Sequence, residues 1–335
     1  MSAGTQNRLM DHTAPGRRGA GPPQLTAVCV TWNSTQHLPG LLESLDAGLA
    51  GLRWRLVVVD NGSTDGTPEL LHRLAPSVEL VQTGRNLGYA AAINRGLPSA
   101  TGSEVVLVLN PDVRLGPGCG VALVDALRQT GTGIAVPVQR DPDGSLHATL
   151  RREPTVLRAL GEALLGGWRA DRVPTLGELV TDHDAYAAST RADWATGSVM
   201  AVSQACLTAV GNWDETFFLY SEETDFALRA RDRGFELRLV PRAACEHLRG
   251  ASHDNPQLWA LLTVNRLRLF AARHGAQRTL LFRAALLLGE GLRSCGGAPT
   301  HLRAVRALLR GERAAAALIG ELASGSTESR TALVA

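Results

Sequence analysis

The sequence predicts an α/β fold with a mostly parallel central sheet and helices on both faces. Between residues 25 and 138, five apolar runs rich in Val and Leu alternate with segments whose apolar residues recur at helical spacing. Uninterrupted apolar strands are typical of parallel sheets that are covered on both sides. Leu and Ala at helical spacing with Arg between them predict a C-terminal helical extension.

The predicted elements follow one another in a regular alternation. Strands are assigned to short runs without polar interruption, and helices to segments with spaced apolar residues. In chain order they are the strand LTAVCVT (25–31), the helix HLPGLLESLDAGL (37–49), the strand WRLVVV (54–59), the helix TPELLHRL (67–74), the strand VELVQ (78–82), the helix YAAAINRGL (89–97), the strand EVVLVL (104–109), the helix GVALVDALRQ (120–129) and the strand GIAVPV (133–138).

Composition excludes several kinds of chemistry. The chain of 335 residues is long enough for one large domain or two, and its hydrophobic share of 44% is that of a globular protein. All 34 basic residues are Arg, because Lys is absent, so a Schiff-base lysine and a Walker A lysine are excluded. The five Cys are scattered without a CxxC pair, which argues against a disulfide framework or a zinc site and favours a reducing cytoplasm.

The two ends of the chain differ from its middle. Residues 1–24 are polar and rich in Gly, Pro and Arg, so we expect a disordered leader and no signal peptide. Residues 256–335 carry 11 Arg and 4 Glu without Asp, and hence a net charge of +7. Two interpretations of this basic helical extension stay open. Its helices pack on the main domain, or they contact an anionic membrane surface or a phosphorylated lipid.

Two other kinds of association are disfavoured by the sequence. No apolar run reaches the roughly 18–20 residues that a membrane span needs. The nearest run, TLLFRAALLLG (279–289), is short and contains Arg283. Aromatic residues make up only 4% of the chain and do not alternate with basic ones, which argues against a nucleic-acid partner.

Polar residues collect where the predicted strands end. The first strand ends in TWNS (31–34), the second in DNGSTDG (60–66) and the fourth in NPD (110–112), while GRNLG (84–88) follows the third. Each motif alone is explained by a turn or a helix cap. Ligands of parallel sheets bind outside the carboxyl ends of the strands, however, and the joint placement predicts a nucleotide-sized site. Backbone N–H groups and Arg85 at the start of the third helix would meet an anion there.

These motifs, in this order and spacing, resemble the GT-A glycosyltransferases of family 2, and most closely the bacterial rhamnosyltransferase-like subgroup. The segment DWATGSVMAVSQACLTAVGNWDETFFLYSEETDFALRARDRGFELRLVPRAACEHLRGASH (193–253) is similar to the family's acceptor and catalytic region. The resemblance implies a GT-A domain over 25–255, with a nucleotide-sugar half (25–138) and an acceptor and catalytic half (139–255).

The resemblance also implies how the donor is held. Asp60 would accept a hydrogen bond from the pyrimidine ring N–H, and Gly62 would allow close approach of the backbone. Asp65 would hold the ribose, or it would only cap the helix near Thr67, and both interpretations stay open. The residues expected to contact the nucleotide-sugar are Thr31, Asn33, Asp60, Asn61, Gly62, Asp65, Arg85, Asn86, Gly88, Asn94, Asn110 and Asp112.

A divalent metal ion is implied by the same resemblance. Asp112 stands at the position of the family's DxD motif, which here is Asn110-Pro111-Asp112, so that the first acid is an amide. His247 matches a family histidine that reaches the metal or the diphosphate, although a lone His is more often a surface or core group. Carboxylate ligands suit Mg²⁺ or Mn²⁺, which would neutralise the charge that develops on the departing diphosphate.

The catalytic base is expected at the helix start that follows LYS (219–221). Glu222, Glu223 and Asp225 lie there, and adjacent helical residues point about 100° apart. Glu223 heads the apolar side of the helix, where partial desolvation raises the pKa of a carboxyl, and it inherits the family's base position. Glu222 remains a rival for this role. All three acids are also explained by the preference of helix N-termini for negative charge.

The acceptor side is less defined by the sequence. Residues 139–192 match the family's variable insert and contain no motif. Gly197 lies in the turn TGSV, where the family places acceptor or donor contacts, and Arg229 pairs with Asp225 at helical spacing. Trp194 is expected to stack on a sugar or to be buried in the core.

The resemblance implies an inverting, metal-dependent sugar transferase. The first expectation is transfer of L-rhamnose from dTDP-L-rhamnose to a cell-envelope or lipid-linked glycan, in the cytoplasm or at the inner face of the membrane. A UDP-sugar donor with a small natural-product acceptor is the alternative. Two other classes are considered, a nucleotidyltransferase, which would show a basic Gly-rich loop after the first strand, and a non-catalytic sugar-nucleotide-binding scaffold.

Overall fold

The computed structural model describes residues 21–248, 255–296 and 298–323. The expected leader therefore lies outside the described residues except for its last four, as do residues 249–254 of the motif near His247 and the end of the predicted basic extension. Among the described helices, none combines the length and the apolar character that crossing a membrane requires.

The molecule is a mixed α/β structure, which confirms the predicted fold class. The strands are β1 (Leu25–Thr31), β2 (Trp54–Asp60), β3 (Glu79–Gln82), β4 (Val105–Leu109), β5 (Val113–Leu115), β6 (Thr132–Arg140), β7 (Leu146–His147), β8 (Leu150–Arg151), β9 (Arg191–Ala192), β10 (Trp194–Ala195), β11 (Val199–Ser203) and β12 (Glu236–His247). The helices are α1 (Leu38–Gly48), α2 (Thr67–Leu74), α3 (Tyr89–Gly96), α4 (Cys119–Leu127), α5 (Val156–Leu165), α6 (Gly167–Ala170), α7 (Asp184–Ala187), α8 (Gln204–Val210), α9 (Glu222–Asp232), α10 (Pro256–Arg273), α11 (Ala276–Ser294), α12 (Pro299–Arg310) and α13 (Glu312–Ala323), with a short 3₁₀ helix at Leu97–Ala100.

The main sheet brings the ends of the N-terminal strands to one edge. Its order is β3-β2-β1-β4-β11-β6-β12-β5, and β1 pairs in parallel with both β2 and β4. In this register Thr31 lies opposite Asp60, and Asp60 lies opposite Gln82. The polar residues that follow β1, β2 and β3 are therefore neighbours in space.

The sheet has an apolar layer on each face because alternate residues of its strands point to opposite sides. Ala27 and Cys29 of β1 belong to a core that includes leucines of α1 and α4. Val28 and Val30 belong to the opposite core, which includes Phe226 of α9 and residues of α3. Helices thus cover both faces, as the uninterrupted apolar runs predicted.

The fifth predicted strand does not adjoin the fourth. The strand β11, from the run VMAVS, lies between β4 and β6 and is antiparallel to both. The sheet is consequently parallel in its N-terminal part and mixed beyond β4. The backbone N–H of Asn110 donates to the carbonyl of Ser198, so β11 also fixes the end of β4.

The basic C-terminal helices pack on the rest of the molecule. Asn265 of α10 donates to the carbonyls of Leu219 and Tyr220, and Arg266 forms ion pairs with Glu162 and Glu178 of the insert. The packing interpretation of this segment is therefore observed for its described part. The same contacts place α10 directly behind the loop that leads into α9.

Candidate functional site

The end of β2 forms a hydrogen-bonded shelf at the sheet edge. Asp60 is buried, and its carboxylate accepts hydrogen bonds from the Thr31 hydroxyl (3.2 Å) and the Ser63 N–H (3.0 Å). Asn33, at a left-handed φ of 50°, accepts from the N–H of Thr64 and donates its own N–H to Ser63. The predicted donor residues Thr31, Asn33 and Asp60 therefore lie together.

Asp65 has a structural role. One carboxylate oxygen accepts from the N–H and hydroxyl of Thr67, and the other accepts from the same two groups of Thr35. Burial alone would raise the pKa of this carboxyl, but the hydrogen bonds from Thr67 and Thr35 lower it below its usual value. Of the two interpretations of Asp65, the one in which it fixes the start of α2 fits these contacts.

Asn61 ties the end of β2 to the turn at residues 84–88. Its amide donates to the Asn86 side chain and the Gly88 carbonyl, and its oxygen accepts from the Leu87 N–H. A side-chain carbon on Gly62 would lie 2.6 Å from the Arg85 backbone. Asn61 thus has a structural role here, its nucleotide contact stays a prediction, and the backbone that Gly62 admits is that of this turn.

The glycine at the start of α3 allows a second close approach. Gly88 has a φ of 90°, and a side-chain carbon there would lie 2.4 Å from the carbonyl oxygen of Phe218. The N–H of Tyr89 donates to that same carbonyl at 2.7 Å. The turn after β3 thus holds the loop that precedes α9, while Arg85 is exposed beside it.

Asn94 does not face the sheet edge. Its amide donates to the Trp213 carbonyl and the Glu215 carboxylate, and its oxygen accepts from the Trp213 N–H. The hydrogen-bonding groups of Asn94 anchor the loop after α8, and its nucleotide contact stays a prediction without support from these contacts. Sequence spacing placed it correctly on α3 but could not give the face of the helix that this loop occupies.

The NPD motif places an unpartnered acid beside a histidine. Asp112 is fully buried, and among the described residues neither of its oxygens accepts a hydrogen bond. His247 pairs with Val113 across β12 and β5, which brings its Nε2 to 3.2 Å from Oδ2 of Asp112. Both nitrogens of His247 also lack a hydrogen bond to a described residue. The two predicted metal ligands therefore meet.

These two residues fit a divalent cation held partly by a substrate. Buried carboxylate oxygens without donors are costly unless a cation or another partner satisfies them. Mg²⁺ is commonly bound by one or two carboxylates together with phosphate oxygens and water. No group of three potential metal-binding side chains occurs in the described part of the chain, so the diphosphate and water would complete the coordination.

Three further side chains near Asp112 were not anticipated. Tyr89 donates its hydroxyl to the Asn110 side chain at 2.7 Å. Burial lowers the pKa of His37, although the charge of Asp112 acts in the opposite direction. His147 packs edge-to-face on His247, with ring centres 5.7 Å apart. A Tyr at a helix start and isolated histidines carry no motif, which is why the sequence did not indicate them.

The acids of α9 follow a turn with unusual backbone geometry. Tyr220 and Ser221 have φ values of 68° and 75°, a left-handed conformation that side chains other than Gly rarely adopt. Glu222 comes next and is buried, with Oε2 lacking a hydrogen bond to any described residue. Burial, followed by the charge of Glu223, raises the pKa of Glu222 well above its usual value.

Glu223 faces the turn that contains Gly197. A side-chain carbon on Gly197 would lie 3.2 Å from Cβ of Glu223, so this glycine leaves room for the carboxylate. Oε2 of Glu223 has no hydrogen bond to a described residue, and burial raises the pKa of the group. The charge of Arg151, from the insert, lowers it in part. The desolvation expected for Glu223 is thus observed.

The remaining predicted residues of this region have structural contacts. Arg229 donates to Asp225 at 2.6 Å and to the carbonyls of Val210 and Asn212, so it anchors α9, while its acceptor contact stays a prediction. Trp194 donates its indole N–H to the Arg152 carbonyl. The guanidinium of Arg151 lies over its ring, 5.2 Å from the centre, which leaves at most one face of Trp194 for a sugar.

Tyr89 links the NPD motif to the loop before α9. Its hydroxyl donates to the Asn110 side chain and its N–H donates to the carbonyl of Phe218. Burial raises the pKa of its hydroxyl well above the usual value, and the charges of Cys29, Glu222, Glu223 and Asp112 raise it further. Tyr89 therefore ties together the two segments that carry Asp112 and the glutamates of α9.

Comparison with known families agrees with this geometry. The sequence model described as "Glycosyl transferase family 2" matches residues 26–193, which is half of the chain. The chain belongs to glycosyl transferase family 2. It is a glycosyltransferase, and its mixed α/β architecture is the GT-A fold.

Similar proteins include two rhamnosyltransferases. The N-acetylglucosaminyl-diphospho-decaprenol L-rhamnosyltransferase of Mycobacterium tuberculosis is 36% identical over 237 residues, which cover 67% of this chain and 75% of the relative. Rhamnosyltransferase WbbL of Escherichia coli is 24% identical over 235 residues, which cover 68% of this chain and 84% of that protein.

A more distant likeness is found among solved structures. The mannosyltransferase PcManGT from Pyrobaculum calidifontis, in complex with GDP-Man and Mn²⁺, is 20% identical with a TM-score of 0.49. The alignment covers 93% of this chain and 84% of PcManGT.

The buried acid Glu222 gives the glycosyltransferase a testable pH dependence. Because its pKa is raised in the folded protein, Glu222 lowers the stability as the pH increases from the usual carboxyl pKa, where the unfolded chain ionises, towards that raised value. Glu222→Gln is expected to increase the free energy of unfolding at pH 8 by about 1–3 kcal/mol. The gain should vanish below about pH 4, where the unfolded carboxyl is also protonated. Urea unfolding in EDTA at both pH values measures this.

Asp65→Asn is the control of opposite sign. Hydrogen bonds from Thr67 and Thr35 lower the pKa of Asp65, so removal of its charge should destabilise the protein at pH 8. A destabilised Glu222→Gln variant at pH 8 would contradict the interpretation that the Glu222 carboxylate lacks a stabilising partner.

Proposed function

We propose that this glycosyltransferase moves a sugar from a nucleotide diphosphate to an acceptor hydroxyl in one displacement, with inversion at the anomeric carbon. The observation that carries the proposal is that Asp112, Glu222 and Glu223 have carboxylate oxygens without a partner among the described residues and lie on segments that Tyr89 joins by hydrogen bonds to Asn110 and Phe218. The polar shelf supplies contacts for a nucleotide, and the unpartnered acids supply the chemistry. Such an arrangement is unnecessary in a non-catalytic sugar-nucleotide scaffold.

The nucleotide is proposed to bind along the shelf. Asp60 retains acceptor capacity after its two hydrogen bonds, since an ionised carboxylate has about four lone-pair sites. It would accept the ring N–H of a pyrimidine, which thymine and uracil share. Asn33 and Asn86 belong to the hydrogen bonds around the end of β2, because Asn33 donates to Ser63 and Asn86 accepts from Asn61. A dTDP-sugar is the first expectation because both relatives described above are rhamnosyltransferases, and a UDP-sugar is the alternative.

Asp112 and His247 are proposed to hold a divalent cation at the diphosphate. Their adjacent, unpartnered atoms fit Mg²⁺ or Mn²⁺. When bound, the cation would neutralise charge on the leaving diphosphate. The Asn110 side chain accepts the Tyr89 hydroxyl and thereby orients the backbone that precedes Asp112.

Glu223 is proposed as the base that accepts the proton of the acceptor hydroxyl. Its carboxylate has an unpartnered oxygen, faces Gly197 and has a raised pKa, as a base working near neutral pH requires. The proton passes from the hydroxyl to Glu223 while the hydroxyl oxygen attacks the anomeric carbon. Glu222 is less accessible because it is almost fully buried.

The acceptor is proposed to be a glycan carried on a prenyl diphosphate of the cell envelope. This follows the M. tuberculosis relative, whose name gives an N-acetylglucosaminyl-diphospho-decaprenol substrate. A small natural product is the alternative acceptor. We further propose a cytoplasmic enzyme that contacts the inner face of the membrane, where a lipid-linked acceptor would lie.

A membrane contact is supported by exposed apolar side chains on the insert and on the C-terminal helices. Leu164 of α5 is 64% exposed, and Trp168 of α6 is 67% exposed. Leu288 of α11 lies next to Gly289, which approaches Ala163 of α5 closely, so exposed leucines flank the contact between the two helices. Exposed arginines nearby in the chain would attract anionic lipid, which favours a bilayer surface as the partner. They include Arg169, Arg172 and Arg278.

The assignment of the base predicts unequal effects of two neighbouring substitutions. Glu223→Gln should lower kcat for sugar transfer by about 100- to 10,000-fold, the usual contribution of general base catalysis, with donor KM little changed. Glu222→Gln should lower it by less than about tenfold. In the wild type kcat should fall as the pH drops through the raised pKa of Glu223. Full activity of Glu223→Gln together with an inactive Glu222→Gln would reverse the assignment.

The cation site is tested by binding rather than by turnover. Thermal unfolding with dTDP should show stabilisation that depends on Mg²⁺ or Mn²⁺, about 2.7 kcal/mol when dTDP is present at 100 times its Kd. Asp112→Asn should remove this metal-dependent part, and His247→Gln should weaken it. Asp46→Asn, an exposed acid on α1, is the control. The same measurement with UDP and GDP decides which nucleotide is bound. If metal and dTDP stabilise Asp112→Asn as much as the wild type, the cation site is excluded.

The membrane contact is tested by sedimentation with vesicles. Replacing both Leu164 and Leu288 by Glu should weaken binding to vesicles that contain phosphatidylglycerol by more than about tenfold, since each buried leucine contributes roughly 1.5–3 kcal/mol. Leu74→Glu, at an exposed leucine of α2, should bind as the wild type does. Equal binding of the double variant, or equal binding to purely zwitterionic vesicles, would show that this surface has another purpose.

A further inference from the structure

A large cavity lies on the acceptor side of α9. Its volume is about 1080 Å³, and it is bounded by the insert, by Ala227 and Arg231 of α9 and by the start of β12. It shares no lining residue with the narrow cleft at the strand ends, which is lined by Asn61, Tyr89 and Asn110 among others. The cavity therefore offers room for a second substrate.

The lining of the cavity contains slightly more arginines than carboxylates. Asp193 forms an ion pair with Arg231, and Glu236 forms one with Arg191. Asp171 accepts the N–H of Leu179, and Asp182 accepts that of Asp184. Five Arg and four carboxylates therefore face the cavity, a small excess of positive charge.

Two arginines of the lining have unused donors. The guanidinium of Arg151 lies over Trp194, and that of Arg172 lies over Trp168 at 3.8 Å from the ring centre. Among the described residues, neither guanidinium makes a hydrogen bond or an ion pair. Stacking on an indole fixes the plane of a guanidinium and leaves its N–H edge free, and that edge matches two oxygens of a phosphate.

One strand pair and short chain segments link the lining of the cavity to the proposed base. Arg151 pairs with Trp194 across β8 and β10, and Ala227, which lines the cavity, lies one helical turn after Glu223. Gly197, three residues after Trp194, contacts Glu223. An acceptor anchored at Arg151 would thus extend towards Glu223.

We propose that this cavity recognises the diphosphate of the acceptor through Arg151 and Arg172, which makes it a second anion site distinct from the cation site at Asp112. This inference rests on the proposed function and specifies how its acceptor is recognised. Trp168, stacked by Arg172 and largely exposed, would lie at the junction between the diphosphate and the prenyl chain. The hydroxyl to be modified would point inward, to Glu223.

The probe for this site is farnesyl diphosphate, with farnesol as the neutral counterpart. Calorimetric titration of the full chain in EDTA should show binding of farnesyl diphosphate and much weaker binding of farnesol. Arg151→Gln and Arg172→Gln should each weaken binding of the diphosphate by about tenfold to hundredfold, as expected for a hydrogen bond to a charged group. Arg169→Gln, an exposed neighbour that does not line the cavity, is the matched control and should bind as the wild type does.

Other outcomes would overturn the inference. If farnesol binds as tightly as farnesyl diphosphate, the cavity recognises only the prenyl chain. If Arg169→Gln loses as much affinity for farnesyl diphosphate as Arg151→Gln and Arg172→Gln do, the effect is one of diffuse charge. If Asp112→Asn loses the same affinity for farnesyl diphosphate, the diphosphate binds at the donor site instead. Failure of the proposed function is seen separately, as the absence of metal-dependent dTDP binding by the wild type. In a transfer assay Arg172→Gln should increase acceptor KM while leaving donor hydrolysis unchanged.

Discussion

The turn before α9 is the constraint on which the arrangement of the site depends. Tyr220 and Ser221 both adopt left-handed φ values, each of which costs on the order of 1–2 kcal/mol for a residue with a side chain. The turn persists because its neighbours are fixed. The Phe218 carbonyl accepts from Tyr89, and the Leu219 and Tyr220 carbonyls accept from Asn265. Glu222 and Glu223 follow directly, so their positions are set by this backbone.

The same turn unites three distant parts of the chain. Tyr89 belongs to α3 in the predicted nucleotide-sugar half, the two glutamates to α9 in the predicted acceptor half, and Asn265 to α10 of the basic C-terminal helices. The ion pairs of Arg266 with Glu162 and Glu178 continue this network into the insert that borders the large cavity. The C-terminal helices therefore have a structural role besides the proposed membrane contact, because α10 supports the loop that precedes the proposed base.

Periodicity predicted the elements well because it is a local property. The nine elements predicted between residues 25 and 138 are all present, within a few residues of the expected bounds. Their order in the sheet depends on pairing between distant segments, and so the insertion of β11 between β4 and β6 was not predictable from the pattern. Asn61 and Asn94 were limited in the same way, because the sequence identifies a side-chain amide but not the groups to which it hydrogen-bonds. Arg151 and Arg172 belong to no motif, and only folding of the insert brings them to one cavity.

The two adjacent glutamates divide their roles through electrostatics. Both are partly or wholly desolvated, and ionisation of one opposes ionisation of the other. The difference between them lies in their surroundings, because Arg151 favours the charged form of Glu223, whereas the charge of Glu223 further raises the pKa of Glu222. Glu223 also faces the room left by Gly197, whereas Glu222 is almost fully buried, so Glu223 is the better placed of the two to accept a proton. Arg151, which lines the large cavity, thus bears on both the proposed base and the proposed anion site.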